Sequence, residues 1–400
     1  MRALAFVAVL AVSFTLSAQV VNPDWRPAEG PVAYAIPILD HATLLPQELA
    51  IHYFTNLARM GYDCGDVSLE CGLSETLPIL SFDFKLATAA RWLSKHLNDT
   101  PCFQHDTCCT LTLTATEVLC VAGTACTDQP CEVTFCTGTP WVQRITMFGG
   151  NPTAENIAAG NDTADETICQ WMNSSGHRTN ICSPSNTSLG TGYHQGQNCF
   201  YRYWTQDFGG GAQAERLYPG ALFEDGALLK AGLIVRSPSP VKTAAVTVGT
   251  VETALANTFG TDLRGAWTAT VSAANCAAYF FTASFKDGKS ERFPPAGYLF
   301  YSETPEQCET PDGDPDTDTA GPDDTVPDEA ASDNEGSDTT EGPDEETPDE
   351  GSSDHTSPFD FNPSKDDAGP ANDDGPVDVD LVWPDTDKPT DNGCGCSLVF

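Results

Sequence analysis

The chain has 400 residues, and its 57 acidic residues against 19 lysines and arginines give a formal charge of −38. No basic patch opposes that charge, so a nucleic-acid partner is excluded. The acidity is uneven: the stretch Thr304–Asn392 holds 30 of the acids and only the cations Lys365 and Lys388.

The first segment, "MRALAFVAVLAVSFTLSAQ", has one early cation, a short apolar run and small residues up to Ala18. This is the layout of a secretory signal peptide spanning 1–18, with the mature chain expected to start near Gln19. No later segment holds 18 consecutive apolar residues, so no transmembrane segment is expected in the mature chain. Sixteen cysteines are present, and 14 of them lie between Cys64 and Cys308. They do not form repeated C-x-x-C units, which argues against a zinc ribbon and for disulfides in an oxidising compartment. The candidates are Cys64, Cys71, Cys102, Cys108, Cys109, Cys120, Cys126, Cys131, Cys136, Cys169, Cys182, Cys199, Cys276 and Cys308, with connectivity open.

A first folded region is expected over 31–211. The spacing of Leu49, Tyr53, Leu57 and Met60 predicts a helix over Pro46–Met60, with Pro46 suited to its start. Leu86, Ala89, Ala90, Leu93 and Leu97 predict a second helix over Ser81–Leu97. A third is expected over Ala164–Met172, with acids in its first turn favouring the helix dipole. "SLGTGYHQ" and "CFYRYWTQDFG" alternate and are aromatic, as the strands of a hairpin would be. Helices followed by interleaved strands indicate an α+β, layered domain, not a parallel βαβ sheet. Over 106–140 lies a Cys-rich insert of alternating β-branched and polar residues, expected to form a disulfide-stapled pair of hairpins.

A second folded region is expected over 213–303. "KTAAVTVGTV", "AWTATVS", "AAYFFTASFKDG" and "YLFYSE" read as short strands separated by turns, "KDG" (Lys286–Gly288) marking a hairpin. This pattern suits a small β-sandwich of immunoglobulin-like or fibronectin-like type, with Cys276 and Cys308 able to tie its end. Residues 304–392 repeat Pro-Asp-Glu at Pro327, Pro343 and Pro348 and are expected to be a disordered acidic linker. "DGDPDTDTAGPDD" (Asp312–Asp324) lacks the central Gly and closing Glu of an EF-type calcium loop and reads as part of that linker. Residues 393–400, "GCGCSLVF", place Cys394 and Cys396 after the linker. Cys396 is fifth from the end, so a prenylation box does not fit. The segment resembles the start of a Cys-containing surface-sorting tag, through which the protein could be tethered to the cell surface.

Five motifs occur in order: "CFQH" (Cys102–His105), "ENIAAG" (Glu155–Gly160), "WMNSSGHRTNI" (Trp171–Ile181), "GTGY", and "YWTQDFG" (Tyr203–Gly209). Together they resemble the CAP superfamily of cysteine-rich secretory proteins, antigen 5 and pathogenesis-related 1 proteins (the SCP domain), in its bacterial-type branch. The resemblance implies an α-β-α sandwich with a cleft holding two His and two Glu, the His pair able to bind a divalent cation such as zinc. Carried over, these are His105, Glu155 and His177. Ser174 stands where the second Glu is expected, and Asp165 or Glu166 are the nearest substitutes. Arg144 resembles the Arg that precedes the "E-N" motif in bacterial members. The residues allow a structural reading as well: His105, Glu155 and His177 as a buried hydrogen-bond network, Trp171 and Trp204 as core aromatics, Asn156 as a turn residue, Gly190 and Gly192 as points of close backbone packing.

Two functions follow. The first is a secreted or surface-displayed binding protein recognising an extracellular lipid, envelope component or protein. The alternative is a metal-dependent hydrolase using His105, His177 and Glu155. No G-x-S-x-G or H-E-x-x-H motif supports hydrolysis.

Overall fold

The computed structural model describes residues 32–37, 39–62, 64, 71, 77–100, 102–122, 138–197, 199–211 and 216–311. The expected leader, Cys126, Cys131 and Cys136 of the insert, the linker beyond 311 and the segment with Cys394 and Cys396 lie outside these residues.

A short strand β1 (Val32–Ala35) precedes helix α1 (Pro46–Arg59). Pro46 occupies the first helical turn, and Glu48 Oε2 accepts from the Leu45 N–H (3.1 Å), satisfying a donor the helix cannot. Gly61, at φ 95°, takes the left-handed conformation that closes the helix. The second helix begins later than its apolar spacing predicts. Asp83 Oδ1 accepts from the Lys85 N–H (2.8 Å) and the Leu86 N–H (3.1 Å), so α2 spans Phe84–Asp99. The preceding Ser81–Phe82 is freed to form strand β2, parallel to a strand described below.

The insert gives a hairpin of β3 (Cys109–Leu113) and β4 (Glu117–Ala122), with β1 added antiparallel to β4. Then follow α3 (Trp141–Met147), β5 (Pro152–Ala159), α4 (Ala164–Asn173), α5 (Ser175–Cys182), β6 (Ser188–Gln195) and β7 (Arg202–Gly209). Strand β7 starts after Tyr201 because Cys199 and Tyr201 have φ of 29° and 66°, which breaks the extended run expected from Cys199.

The central sheet runs β2-β6-β7-β5. Helix α2 covers one face, where Gly190 and Gly192 of β6 let it approach: a Cβ would sit 2.0 Å from Ala87 N and 2.1 Å from Ala90 C respectively. Helix α1 lies on the other face. There Thr191 Oγ1 donates to the Glu48 carbonyl (2.9 Å) and Gln206 Nε2 to Thr55 Oγ1 (2.6 Å). These layers make an α+β, α-β-α arrangement.

The remaining strands are β8 (Leu217–Asp225), β9 (Leu228–Arg236), β10 (Val241–Val248), β11 (Val251–Ala254), β12 (Ala256–Gly260), β13 (Arg264–Val271), β14 (Ala277–Phe285), β15 (Ser290–Phe293) and β16 (Leu299–Tyr301). They form two sheets, β12-β13-β9-β8 and β11-β10-β14-β15 with β16 paired to β14. The faces meet closely enough that a Cβ on Gly220 would lie 2.5 Å from the Phe281 ring. One hydrophobic cluster joins these sheets to the first region. Tyr53 of α1 stacks on Phe223 of β8 (centroids 5.3 Å apart) above Gly232 of β9. Every residue of α1 except Gln47 is therefore buried.

Two polar side chains of α1, Arg59 and Asn56, find backbone partners, as burial requires. Arg59 donates to the carbonyls of Pro78, Ile181, Ser183 and Asn186, and Asn56 exchanges two bonds with the Leu80 backbone. Five disulfides join described residues: Cys64–Cys169, Cys71–Cys182, Cys102–Cys108, Cys109–Cys120 and Cys276–Cys308. Cys199 is also disulfide-bonded. The first two close spans of 105 and 111 residues and pin the chain after α1 to α4 and α5. In the chain-entropy picture each such closure destabilises the unfolded chain by roughly 4–5 kcal/mol.

Candidate functional site: the cleft at the edge of the central sheet

Strand β5 is the edge strand of the central sheet, and its alternation sends successive side chains to opposite faces. Antiparallel register sets Glu155 opposite Asp207 and Asn156 opposite Gln206. The sequence thus builds two polar cross-strand pairs, back to back.

On the side of α3, Arg144 is fully buried and holds the first pair. Its Nη2 donates to Glu155 Oε2 and lies 3.9 Å from Asp207 Oδ1, while Nη1 donates to the His105 carbonyl (2.6 Å). Glu155 Oε1 accepts from His105 Nδ1 (2.8 Å). Burial pushes the Glu155 carboxyl up, but Arg144 and the bond from His105 hold it below the usual carboxylate range. Asp207 behaves oppositely. Burial and the neighbouring Glu155 push it well above its usual value, and Arg144 offsets this only in part. Both Asp207 oxygens are shielded from solvent with no N–H or O–H aimed at them. Burial beside Glu155 thus favours the protonated form of Asp207, and one guanidinium serves both carboxyls.

The second pair stitches the sheet to α5. Asn156 Nδ2 donates to Gln206 Oε1 (2.9 Å) and to the His177 carbonyl (3.2 Å), and its Oδ1 accepts from Asn180 Nδ2 (2.9 Å). Asn180 Nδ2 also reaches the Glu155 carbonyl (3.2 Å). Asn156 was expected in a turn; it is instead a fully buried strand residue, because its amide is needed to bridge β7 and α5. His177 is half-buried on α5, and burial, then the facing His105, lower its pKa to about 4.

His105 and His177 are thus near enough to interact electrostatically. The bond to Glu155 engages Nδ1 of His105 and leaves Nε2 as the ring nitrogen outside that pair. The His105 side chain is 44% exposed. His177 is neutral at physiological pH. The site sets two imidazoles beside the buried Glu155–Arg144 pair.

The other candidates fall elsewhere. Ser174 is the junction between α4 and α5, its N–H donating to the Trp171 carbonyl (3.2 Å). Glu166 caps α4, its Oε2 accepting from the Asp162 and Thr163 N–H groups (both 3.1 Å), and Asp165 lines a separate cavity. The second buried carboxylate beside Glu155 is Asp207, which no motif spacing singled out. Trp171 and Trp204 are fully buried, and Trp171 Nε1 donates to the Ile157 carbonyl (3.0 Å).

For a metal ion the cleft supplies two imidazoles. Both Glu155 oxygens are already engaged. Among the described residues, no third ligating side chain gathers with His105 and His177; the one cluster of three is His96, Cys109 and Cys120, whose ligand atoms lie within 4.8 Å. Its two thiols are spent in the Cys109–Cys120 disulfide.

The chain has recognisable relatives. It is 46% identical over 54 residues to the uncharacterized protein YkwD of Bacillus subtilis (strain 168), a span of 14% of this chain and 20% of that protein. The chain thus matches about a fifth of the length of that curated relative. It is similar at 23% identity to the crystal structure of an extracellular protein containing an SCP domain from Bacillus anthracis str. Ames. That alignment covers 41% of this chain and 40% of the other, with a TM-score of 0.28, and no assignment rests on it. Residues 119–208, from β4 through β7, match the model of the CAP family, described as the cysteine-rich secretory protein family. That span contains Glu155, His177 and the cross-strand pairs of β5 and β7, and over it the chain resembles the CAP family.

Proposed function

We propose that the protein is an extracellular binding module whose CAP cleft recognises its ligand through His105 and His177, and that it is not a hydrolase. The observation that carries this reading is the engagement of Glu155. One oxygen is held by Arg144 and the other by His105, so no free carboxylate stands ready to take a proton from water. The pairing instead fixes the His105 ring and presents its Nε2 to the cleft. The oxidised cysteines and the leader-like first segment support an extracellular setting.

A divalent cation such as zinc fits as a loosely held component. Nε2 of His105 and the imidazole of His177 would hold it, and it would supply a Lewis-acidic bridge to a carbonyl or anionic group of a ligand. Two side-chain ligands imply weak binding. Titration calorimetry with zinc alone should show weak uptake by the wild type, lost in a His105→Ala/His177→Ala variant whose melting temperature is little changed. Esterase and amidase assays should show no chelator-sensitive turnover. Robust hydrolysis abolished by chelator and by the double substitution would establish the alternative.

A further inference from the structure

A cavity of about 180 Å³ lies where α1, the β5–α4 loop and β7 meet the strands β8 and β16. It is separate from the cleft: none of its lining residues is His105, Glu155 or His177. The geometry points to this cavity as a binding site for a primary ammonium group on an alkyl chain.

Its walls are aromatic. Phe54, Tyr193, Phe223 and Tyr301 line it, with Trp204 behind Tyr193 (centroids 4.4 Å apart). Aromatic faces accept both an alkyl chain and a cation. The charged lining is nearly all anionic. Asp162, Asp165, Glu224 and Glu303 contribute carboxylates, against a single cation, Arg202, which is already paired with Asp162. Gln47, the α1 residue left out of the core, brings an Oε1 that is shielded from solvent and has no hydrogen-bond partner. An unmet buried acceptor asks for an N–H donor, which a quaternary ammonium lacks.

The carboxylates act across the cavity. Burial and then Glu224, which is hydrogen-bonded to the phenol, raise Tyr301, with Glu303 adding to the shift. Burial also raises Tyr193, Arg202 opposing and Glu303 and Asp162 adding. Yet no three of these oxygens gather within 4.8 Å of one another. The charge is spread around a space too wide for a bare metal ion to bridge, while an ammonium with a short chain fills it and keeps its charge near several walls. An anion is excluded by the same charge balance.

The test is titration calorimetry with pentylammonium and its uncharged counterpart 1-pentanol on the full chain. Pentylammonium should bind and pentanol should not, and raising salt from 50 to 500 mM should weaken binding, because the Debye length falls roughly threefold. A Glu224→Gln/Glu303→Gln variant, isosteric at exposed positions, should melt as the wild type and bind about tenfold more weakly. Cadaverine and a blocked lysine amide serve as arms that separate a free amine from one presented on a chain; saturable binding of either upholds the site. The His105→Ala/His177→Ala variant should bind pentylammonium normally, so failure of the cleft reading leaves this one intact. Equal binding of pentanol and pentylammonium, or no saturation by any amine up to about 10 mM, would overturn it. Wild-type affinity in the Glu variant, or loss of binding in the folded His variant, would do the same.

Discussion

Arg144 serves two buried carboxyls, and the charge arithmetic around it governs the cleft. Because Asp207 is raised in the folded chain, it favours folding only while protonated; that contribution fades as pH rises from its unfolded value through its folded one. An amide in the same place mimics the protonated acid. Asp207→Asn should therefore melt higher than the wild type at pH 8, with the difference closing near pH 4; a gap that widens toward acid would contradict the raised Asp207. Arg144→Met leaves Glu155 and Asp207 without their cation in a site with no solvent, which should cost about 3–5 kcal/mol in urea unfolding. His105, Glu155 and His177 were legible in the sequence because each sits inside a motif of fixed spacing. Asp207 was not. The alternation of "YWTQDFG" marks a strand, but only the register of β7 against β5 puts that carboxyl beside Glu155.

At the scale of elements, the contact between α2 and β6 depends on two missing side chains. Gly192 meets the α2 backbone itself, so an added methyl has no flexible neighbour to displace. Gly192→Ala should lower stability by about 1–3 kcal/mol and shift the α2 amide resonances, whereas Gly176→Ala, with nothing within 4 Å, should leave those resonances in place. An unaltered melting curve for Gly192→Ala would mean that α2 does not sit on the strand as described. The apolar stripe of α1 was readable from its spacing, but its burial on a second face was not. That face meets Phe223 and Gly232, far along the chain, and Tyr53 looks the same in sequence whichever layer it touches. Helix α5 escaped for a different reason. Only Ile181 among its residues is buried, so no apolar period exists to detect; it is held by Asn156 and by the Cys71–Cys182 bridge. The late start of α2 was in principle legible, since Asp83 is a cap residue, but the apolar spacing ran past it.

For the whole molecule, burial of histidines couples folding to acid. His52 and His96 have no exposed face, and burial lowers each to about 3; His177 is lowered to about 4. All three stand near 6.5 in an unfolded chain, so the unfolded state binds protons that the folded state refuses. A lowered histidine favours folding fully above its unfolded pKa and loses that contribution as pH falls toward its folded one. Between pH 6.5 and 4 each can remove up to about 1.4 kcal/mol per pH unit. Glu155 adds a loss of the same sign at lower pH, because Arg144 and His105 hold it down, while Asp207 acts in the opposite direction over carboxylate titration. The disulfides do not remove this sensitivity, since they bias the unfolded chain equally at every pH. Urea midpoints at pH 7, 6 and 5 should therefore fall progressively, with a net uptake of protons on unfolding between pH 5 and 6, because the lowered histidines outnumber the one raised carboxyl, Asp207. His52→Met keeps the volume and removes one titrating ring, and its curve should be flatter by about one proton. A midpoint independent of pH from 7 to 5, or a variant as acid-sensitive as the wild type, would show that these rings are hydrated and not locked in the core.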